Sequence, residues 1–229
     1  MKVINHLLYG DDGKQVSYKP SPNVGKAKKG YKVFVVHYDG SSGLQGLNWL
    51  LDKQSKVSAE LWLSREGKTI QLAPFSVTCW HAGVSTWRNV EGMNSYGIGI
   101  ELQNTGGQAY TDVQMDELGK IAKAVAGEYK LEIVGHEDIA PLRKEDPSGS
   151  KLALFDWKRL FDAAGVKTEL FKASSDLNVR RGQGTQYPAV VTLKKGTEVY
   201  ELNRVGDWSK IQVKGSKQSG WVSNKFLIK

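Results

Sequence analysis

Two apolar, β-branched runs in this chain stop at a histidine. Residues 31–37 read Tyr-Lys-Val-Phe-Val-Val-His, and residues 131–136 read Leu-Glu-Ile-Val-Gly-His. Near-continuous apolarity marks a strand buried on both faces, so each run is expected to sit inside a covered sheet and to end on an imidazole. Around them the pattern is mixed α/β. Leu44, Leu47, Leu50 and Leu51 recur at helical spacing. Ala59–Ser64 and Thr69–Ala73 flank Arg65-Glu66-Gly67-Lys68, a hairpin signal. Tyr96–Gln103 reads as another strand, whose glycines admit close approach of backbone or ligand. Thr111 with Gln114 has the form of a capping box opening a helix that buries Leu118, Ile121, Ala122 and Val125. Asp156 is placed to cap a last helix containing Trp157, Leu160 and Phe161.

Past Gly165 the pattern changes to short strands punctuated by glycine: Leu177–Arg180, Ala189–Leu193, Glu198–Asn203, Trp208–Val213 and Gly220–Val222. Such spacing indicates a small all-β barrel or sandwich. The expected organisation is a first domain over 1–166, a linker over 167–175 and a β module over 176–229. The 229 residues suffice for one good core and a small extra module. Residues 171–229 carry +7 of the net +8 charge, a local basic patch suited to an anionic polymer or surface, with a solvated face as the blander alternative. Cys79 is the only cysteine, so no intramolecular disulfide is available. The opening residues hold no apolar run of secretory length, and no segment approaches a membrane span. The expectation is a monomer made in the cytoplasm, without membrane insertion, that acts outside only if something else releases it.

His37, His136 and Asp146 carry the strongest chemical signal. Asp146 follows a Pro-containing loop in the text Arg-Lys-Glu-Asp-Pro-Ser-Gly. Two imidazoles and one carboxylate suit a catalytic zinc, because three protein ligands leave a fourth tetrahedral position for water or substrate. Singly, each histidine could equally be a core residue satisfied by a carbonyl.

Several texts together resemble the zinc-dependent N-acetylmuramoyl-L-alanine amidases of the second type, the superfamily of peptidoglycan recognition proteins and phage lysozyme-amidases. They are Val35-Val36-His37, Trp80-His81-Ala82-Gly83, Asn94 to Glu101, and Gly135-His136-Glu137-Asp138-Ile139-Ala140-Pro141 with Arg143-Lys144-Glu145-Asp146-Pro147. Residues 177–227 resemble a bacterial Src-homology-3-type module through Leu177-Asn178-Val179-Arg180, Gly206-Asp207-Trp208 and Gly220-Trp221-Val222. Tyr96 and Pro147-Ser148 depart from the family pattern, which more usually has an aliphatic residue and Pro-Gly there.

The first resemblance implies a central mixed β-sheet flanked by helices, followed here by the small barrel. It implies one zinc ion on His37, His136 and Asp146, and cleavage of the amide between N-acetylmuramic acid and L-alanine in peptidoglycan. It implies Glu101 as general base and Lys144 as the cation for the oxyanion. It places His81 near the substrate cleft, where the alternative is a third histidine of an all-His zinc site. Trp80, Trp87 and Asn94 are candidates for shaping the cleft, with core packing the alternative. Cys79 is read as a small buried residue rather than a nucleophile.

The leading expectation is a lytic enzyme of phage-endolysin type whose barrel binds peptidoglycan or anionic wall polymers. A wall-recycling amidase and a non-catalytic recognition protein are the alternatives. Trp208, Trp221, Tyr187 and Tyr200 could stack bases, but no nucleic-acid motif accompanies the charge, so nucleic acid is not an expected partner. Because every candidate catalytic residue precedes residue 170, residues 1–170 are expected to fold and keep the hydrolytic centre alone.

Overall fold

A computed structural model describes residues 1–229. Its first sheet has six strands in the order Glu132–Gly135, Val33–Tyr38, Gly97–Leu102, Leu61–Leu63, Thr69–Gln71 and Ser17–Tyr18. The first four run parallel to one another, and Leu61–Leu63 turns back on Thr69–Gln71 as the expected antiparallel hairpin. The sheet is therefore mixed. The parallel register sets Ile98 beside Phe34, Gly99 beside Val35 and Glu101 beside His37. Side chains alternate along a strand, so Val33, Val35, His37 and Glu101 share one face while Phe34, Val36, Ile98 and Ile100 share the other.

The second of these faces packs on two helices, Asp112–Tyr129 and Trp157–Ala164. In the long helix Leu118, Ile121, Ala122 and Val125 are all fully buried, as their 3–4 spacing predicts. Thr111 caps it, its hydroxyl accepting from Gln114 N at 3.1 Å. The reciprocal half of the capping box does not form. The Gln114 amide instead donates to the carbonyls of Leu63 and Gln103, tying the helix start to two sheet strands. Asp156 caps the shorter helix at Arg159 N, 3.1 Å.

The other face is covered piecemeal. The helix Gln45–Leu51 buries Leu47 and Leu50 with Trp62, Ile70 and Leu72. Next to it Val33, Val35 and Val134 pack with Ala82, Trp87 and Met93, and the cluster is completed by Trp221 from the C-terminal module. Trp221 is 1% exposed and lies 6.1 Å, centroid to centroid, from Trp87.

The C-terminal module is a curled, wholly antiparallel sheet in the order Ala189–Leu193, Leu177–Arg180, Ser219–Ser223, Trp208–Val213, Glu198–Val205, Glu169–Ala173, Leu227–Ile228. It has its own small core around Phe171, Val179, Val199 and Ile211. The residues expected as a linker hold a strand, Glu169–Ala173, which pairs with Glu198–Val205. The apolar Leu170 and Phe171 were too few to raise a strand signal, and the partner strand supplies the pairing.

The two sheets are not strung apart. Leu202 reaches the helical core of the first domain. Gln212 accepts from Lys158 N at 2.8 Å and donates to Asp156 at 3.0 Å, so the module helps to cap a first-domain helix. Arg88 holds Glu132 through two hydrogen bonds and donates to the Arg204 carbonyl. The first domain is thus expected to be less stable without the module, because part of its sheet face is covered only by Trp221. Burying a large apolar side chain contributes about 1.5–3 kcal/mol, and two are at stake in Leu202 and Trp221. Residues 1–166 expressed alone are expected to melt on the order of 10 °C below the full chain. Thermal denaturation followed by circular dichroism checks this, and an unchanged melting temperature would mean the interface contributes nothing.

Candidate active site

Three parallel strands end side by side at one edge of the first sheet. Val33–Tyr38 carries His37, Gly97–Leu102 carries Glu101, and Glu132–Gly135 leads directly into His136 at the start of a short helix, His136–Ile139. The carboxyl ends of parallel strands are where open α/β sheets present ligand sites. Asp146 comes from the following loop, whose position is fixed by a hydrogen bond from Glu137 N to the Asp146 carbonyl, 3.0 Å. Gly135 is required at this corner. A Cβ there would lie 2.8 Å from Pro147 and 3.0 Å from the Trp157 ring.

His37, His136 and Asp146 form one buried cluster. The two Nδ1 atoms are 2.9 Å apart, and each is 3.1 Å from Asp146 Oδ2. The outer nitrogen of His136 points to its tautomer. His136 Nε2 lies 3.0 Å from the Ala82 carbonyl, which only accepts, so that ring carries its proton on Nε2. His37 Nε2 lies 3.0 Å from His81 Nδ1. With the His37 proton donated to His81, both Nδ1 atoms present lone pairs toward the carboxylate oxygen. Three acceptors at contact distance with no proton between them repel one another unless a cation sits among them. Ligands about 3.3 Å apart are what a tetrahedral ion with ~2.0–2.1 Å bonds requires. The trio therefore fits a small divalent cation such as zinc.

The electrostatics agree. Burial and the neighbouring His136 push His37 down to about 4, so it stays neutral and available as a ligand.

His81 is among the residues that line the cleft, but its ring is held in the wall behind His37. Its imidazole is fully buried, packed against Gly99, where a Cβ would come within 2.6 Å of the ring. The glycine read as a site of close approach thus admits a side chain, not a ligand. Behind His81, its Nε2 faces Glu60 Oε2 at 3.8 Å. Glu60 accepts from Gly99 N at 2.7 Å and from Lys28 Nζ at 2.6 Å, and both charged side chains are essentially fully buried. A line of buried polar groups thus runs from Lys28 through Glu60 and His81 to the back of His37. It backs the ring of His37 as a carboxylate or carbonyl does behind many metal ligands. Asn94 is also corrected. Its Oδ1 accepts from His81 N at 3.0 Å and Ala82 N at 2.7 Å, so it shapes the backbone under the site rather than the cleft wall.

In front of the cluster is a cleft of about 510 Å³ lined by Glu101, Lys144, Trp80 and Trp49 among others. Trp80 and Trp49 are 44% and 56% exposed. Trp87, by contrast, is a core residue at 2%. Trp49 escaped the sequence reading, although it falls off the Leu44–Leu47–Leu51 stripe and an off-stripe tryptophan on a helix is a signal. Glu101 Oε2 is buried and has no hydrogen-bond partner. Burial, then the charges of Asp146 and Asp39, raise its pKa well above the ordinary value, with Lys144 opposing. The carboxylates flanking Lys144 in sequence are engaged elsewhere: Asp146 by the two histidines, Glu145 as acceptor for the Tyr38 hydroxyl at 3.4 Å. Arg143 donates to the carbonyls of Ala82 and Val84, both at 2.8 Å, and braces the cleft floor. Cys79 is buried, and burial, then the Glu60 charge, push its thiol far up, which removes it as a nucleophile.

Replacing His81 with Ala removes the acceptor behind His37 while leaving all three cluster residues in place. Zinc affinity, measured by competition with a chromogenic chelator, is expected to fall about 10–100-fold, with His81→Asn recovering part of the loss. Undiminished affinity in His81→Ala would mean the line behind His37 is packing alone.

Comparison with known proteins places this arrangement. Residues 175–228 match the bacterial SH3 domain family. The chain is 41% identical over 106 residues to the 1,6-anhydro-N-acetylmuramyl-L-alanine amidase AmpD of Enterobacter cloacae, a match covering 45% of this chain and 54% of that protein. The chain thus spans about half the length of this curated relative. A crystal structure of an AmpD derivative superposes with a TM-score of 0.62 at 29% identity, over 73% of this chain and all of that one. The amidase AmiD of Escherichia coli, solved with anhydro-N-acetylmuramic acid-L-Ala-D-γ-Glu-L-Lys, superposes with a TM-score of 0.53 at 30% identity, over 69% of this chain and 65% of that one. With residues 27–149, more than half of its length, matching that family, the chain belongs to the N-acetylmuramoyl-L-alanine amidases.

Proposed function

We propose that this protein is a zinc-dependent peptidoglycan amidase that hydrolyses the amide joining N-acetylmuramic acid to L-alanine. The observation that carries this is the convergence of His37 Nδ1, His136 Nδ1 and Asp146 Oδ2 beside the unpartnered carboxyl of Glu101. Zinc held by these three residues would supply Lewis acidity at the scissile carbonyl and acidify water. Glu101 takes the proton of the attacking water and passes it to the leaving amine. Its raised pKa suits it to both transfers, because a base works best near the operating pH. Lys144, with no carboxylate of its own, places its ammonium in the cleft where negative charge develops on the carbonyl oxygen. Trp80 and Trp49 offer flat apolar walls for the sugar ring and the stem peptide.

Two biological roles divide on particular observations. A lytic role, with action on the bacterial wall after release, is supported by the basic charge concentrated in residues 171–229 and the SH3-type module that carries it. A recycling role on soluble anhydro-muropeptides is supported by the similarity to AmpD and AmiD. The seating of the module on the first domain weakens the argument that it is present only as a tether. Mass spectrometry of products decides both bond and role. Release of free stem peptide from soluble anhydro-muropeptide, with little from intact sacculi, is expected for recycling; the reverse ordering is expected for lysis. Full turnover after exhaustive chelation and dialysis would sink the zinc mechanism.

Glu101→Gln and Lys144→Met separate chemistry from metal binding. Both variants are expected to keep wild-type zinc content and melting temperature. Turnover should fall about 10²–10⁴-fold for the first and about 10²–10³-fold for the second. A variant with normal metal and normal turnover removes that residue from the mechanism.

A further inference from the structure

Lys210 belongs to the C-terminal module, on the strand Trp208–Val213, yet its side chain is buried in the first domain. Its side chain is 4% exposed. Its ammonium lies 3.2 Å from Glu137 Oε1, forms a short ion pair with Asp138 Oδ2, and sits 3.8 Å above the Trp157 ring. Asp138 also receives Trp221 Nε1 from the module at 3.0 Å, and its other oxygen accepts from Gly135 N at 2.8 Å.

Glu137 is the residue after His136, and its contacts reach the loop of Asp146. The Glu137 carboxylate accepts from Ser148 N at 3.0 Å and from Ser148 Oγ at 2.6 Å, while its own N–H donates to the Asp146 carbonyl. Glu137 is thus a clamp between the segments carrying two of the three cluster residues. The clamp sets the Glu137 carboxyl beside that of Asp138, both buried. Two adjacent buried anions are unfavourable without a cation, and the first domain provides none in contact with them. Lys210 is the cation.

We infer that the C-terminal module is a structural component of the hydrolytic centre, with Lys210 the positioning residue that holds the Glu137–Ser148 clamp and through it the spacing of His136 and Asp146. This rests on the assignment of His37, His136 and Asp146 as metal ligands. It differs from a tethering role, in which module lysines meet the wall and leave the chemistry of soluble substrates untouched.

The test uses the full chain carrying Lys210→Met, which keeps the apolar stem and removes the charge, beside Lys210→Arg. Measurements are made well below each melting transition. Lys210→Met is expected to weaken zinc binding about 10–100-fold in chelator competition. On a soluble muropeptide it should lower kcat while KM stays within about twofold. In the metal-free protein it should speed amide exchange at residues 136–148. Lys210→Arg should restore part of each. Folded Lys210→Met with wild-type zinc affinity and wild-type exchange in that segment would overturn the inference, whatever happens to wall binding. Should Lys210→Met fail to fold, Lys210→Gln, which removes the charge but keeps a polar head for the buried carboxylates, carries the same test. Faster exchange at 136–148 with weaker zinc binding supports the inference, and no change in either overturns it. If the wild-type protein proves to cut no muropeptide, the proposed reaction falls, while the zinc and exchange comparisons still decide the role of Lys210.

Discussion

Four carboxylates lie buried beneath the cleft, and three of them draw a lysine from another part of the chain. Asp146 faces two imidazoles. Glu60 is met by Lys28, and Glu137 and Asp138 by Lys210. Stripping one partner from a buried ion pair costs about 3–5 kcal/mol, because the remaining charge has no water to turn to. None of the compensating lysines is local. Lys28 arrives from the segment ahead of the first central strand, and Lys210 from a separate sheet more than sixty residues beyond Asp146. Segments from both sides of the first sheet's sequence are thereby drawn to the candidate site.

This arrangement gives each imidazole a distinct support. His136 is held from behind by a backbone carbonyl and from the side by the clamp through Glu137. His37 is held by His81, which is itself backed by a buried glutamate. Glu101, beside the cluster, is left with an unanswered oxygen. In the proposed mechanism that oxygen is the one that exchanges protons, and the buried surround is what would hold it in place for the transfer.

The basic excess of the last quarter also takes on a divided meaning. Some of its charges are spent on the exposed surface of the module, as in the Lys214–Glu198 and Lys194–Asp176 pairs, which are screened and contribute little. Lys210 is spent inside the molecule. A charge count cannot separate the two, since an interior lysine and a surface lysine read alike. The same limit applies to Trp221, an aromatic that composition offers for stacking and that the fold buries at the junction of the two sheets.

Local chemistry in the sequence determined the strands that end at His37 and His136, the caps at Thr111 and Asp156, the buried stripe of the long helix and the short strands after Leu177. These depend on periodicity, on turn residues and on a hydrogen-bond partner within a few positions, all of which are written along the chain. The trio His37, His136 and Asp146 was suggested by residue type and strand ends, and Glu101, Lys144 and Trp80 by the family resemblance; the fold brings the trio together and sets the other three in one cleft. Tertiary structure alone decided that His81 stands behind His37 and Asn94 beneath the backbone, that Trp49 lines the cleft, that residues 169–173 complete a sheet instead of linking two domains, and that Lys210 reaches the loop of Asp146. Each of these depends on which distant segments come to share a buried space. A buried charge or an uncovered sheet face takes its partner from wherever the chain returns, and no local pattern records where that will be.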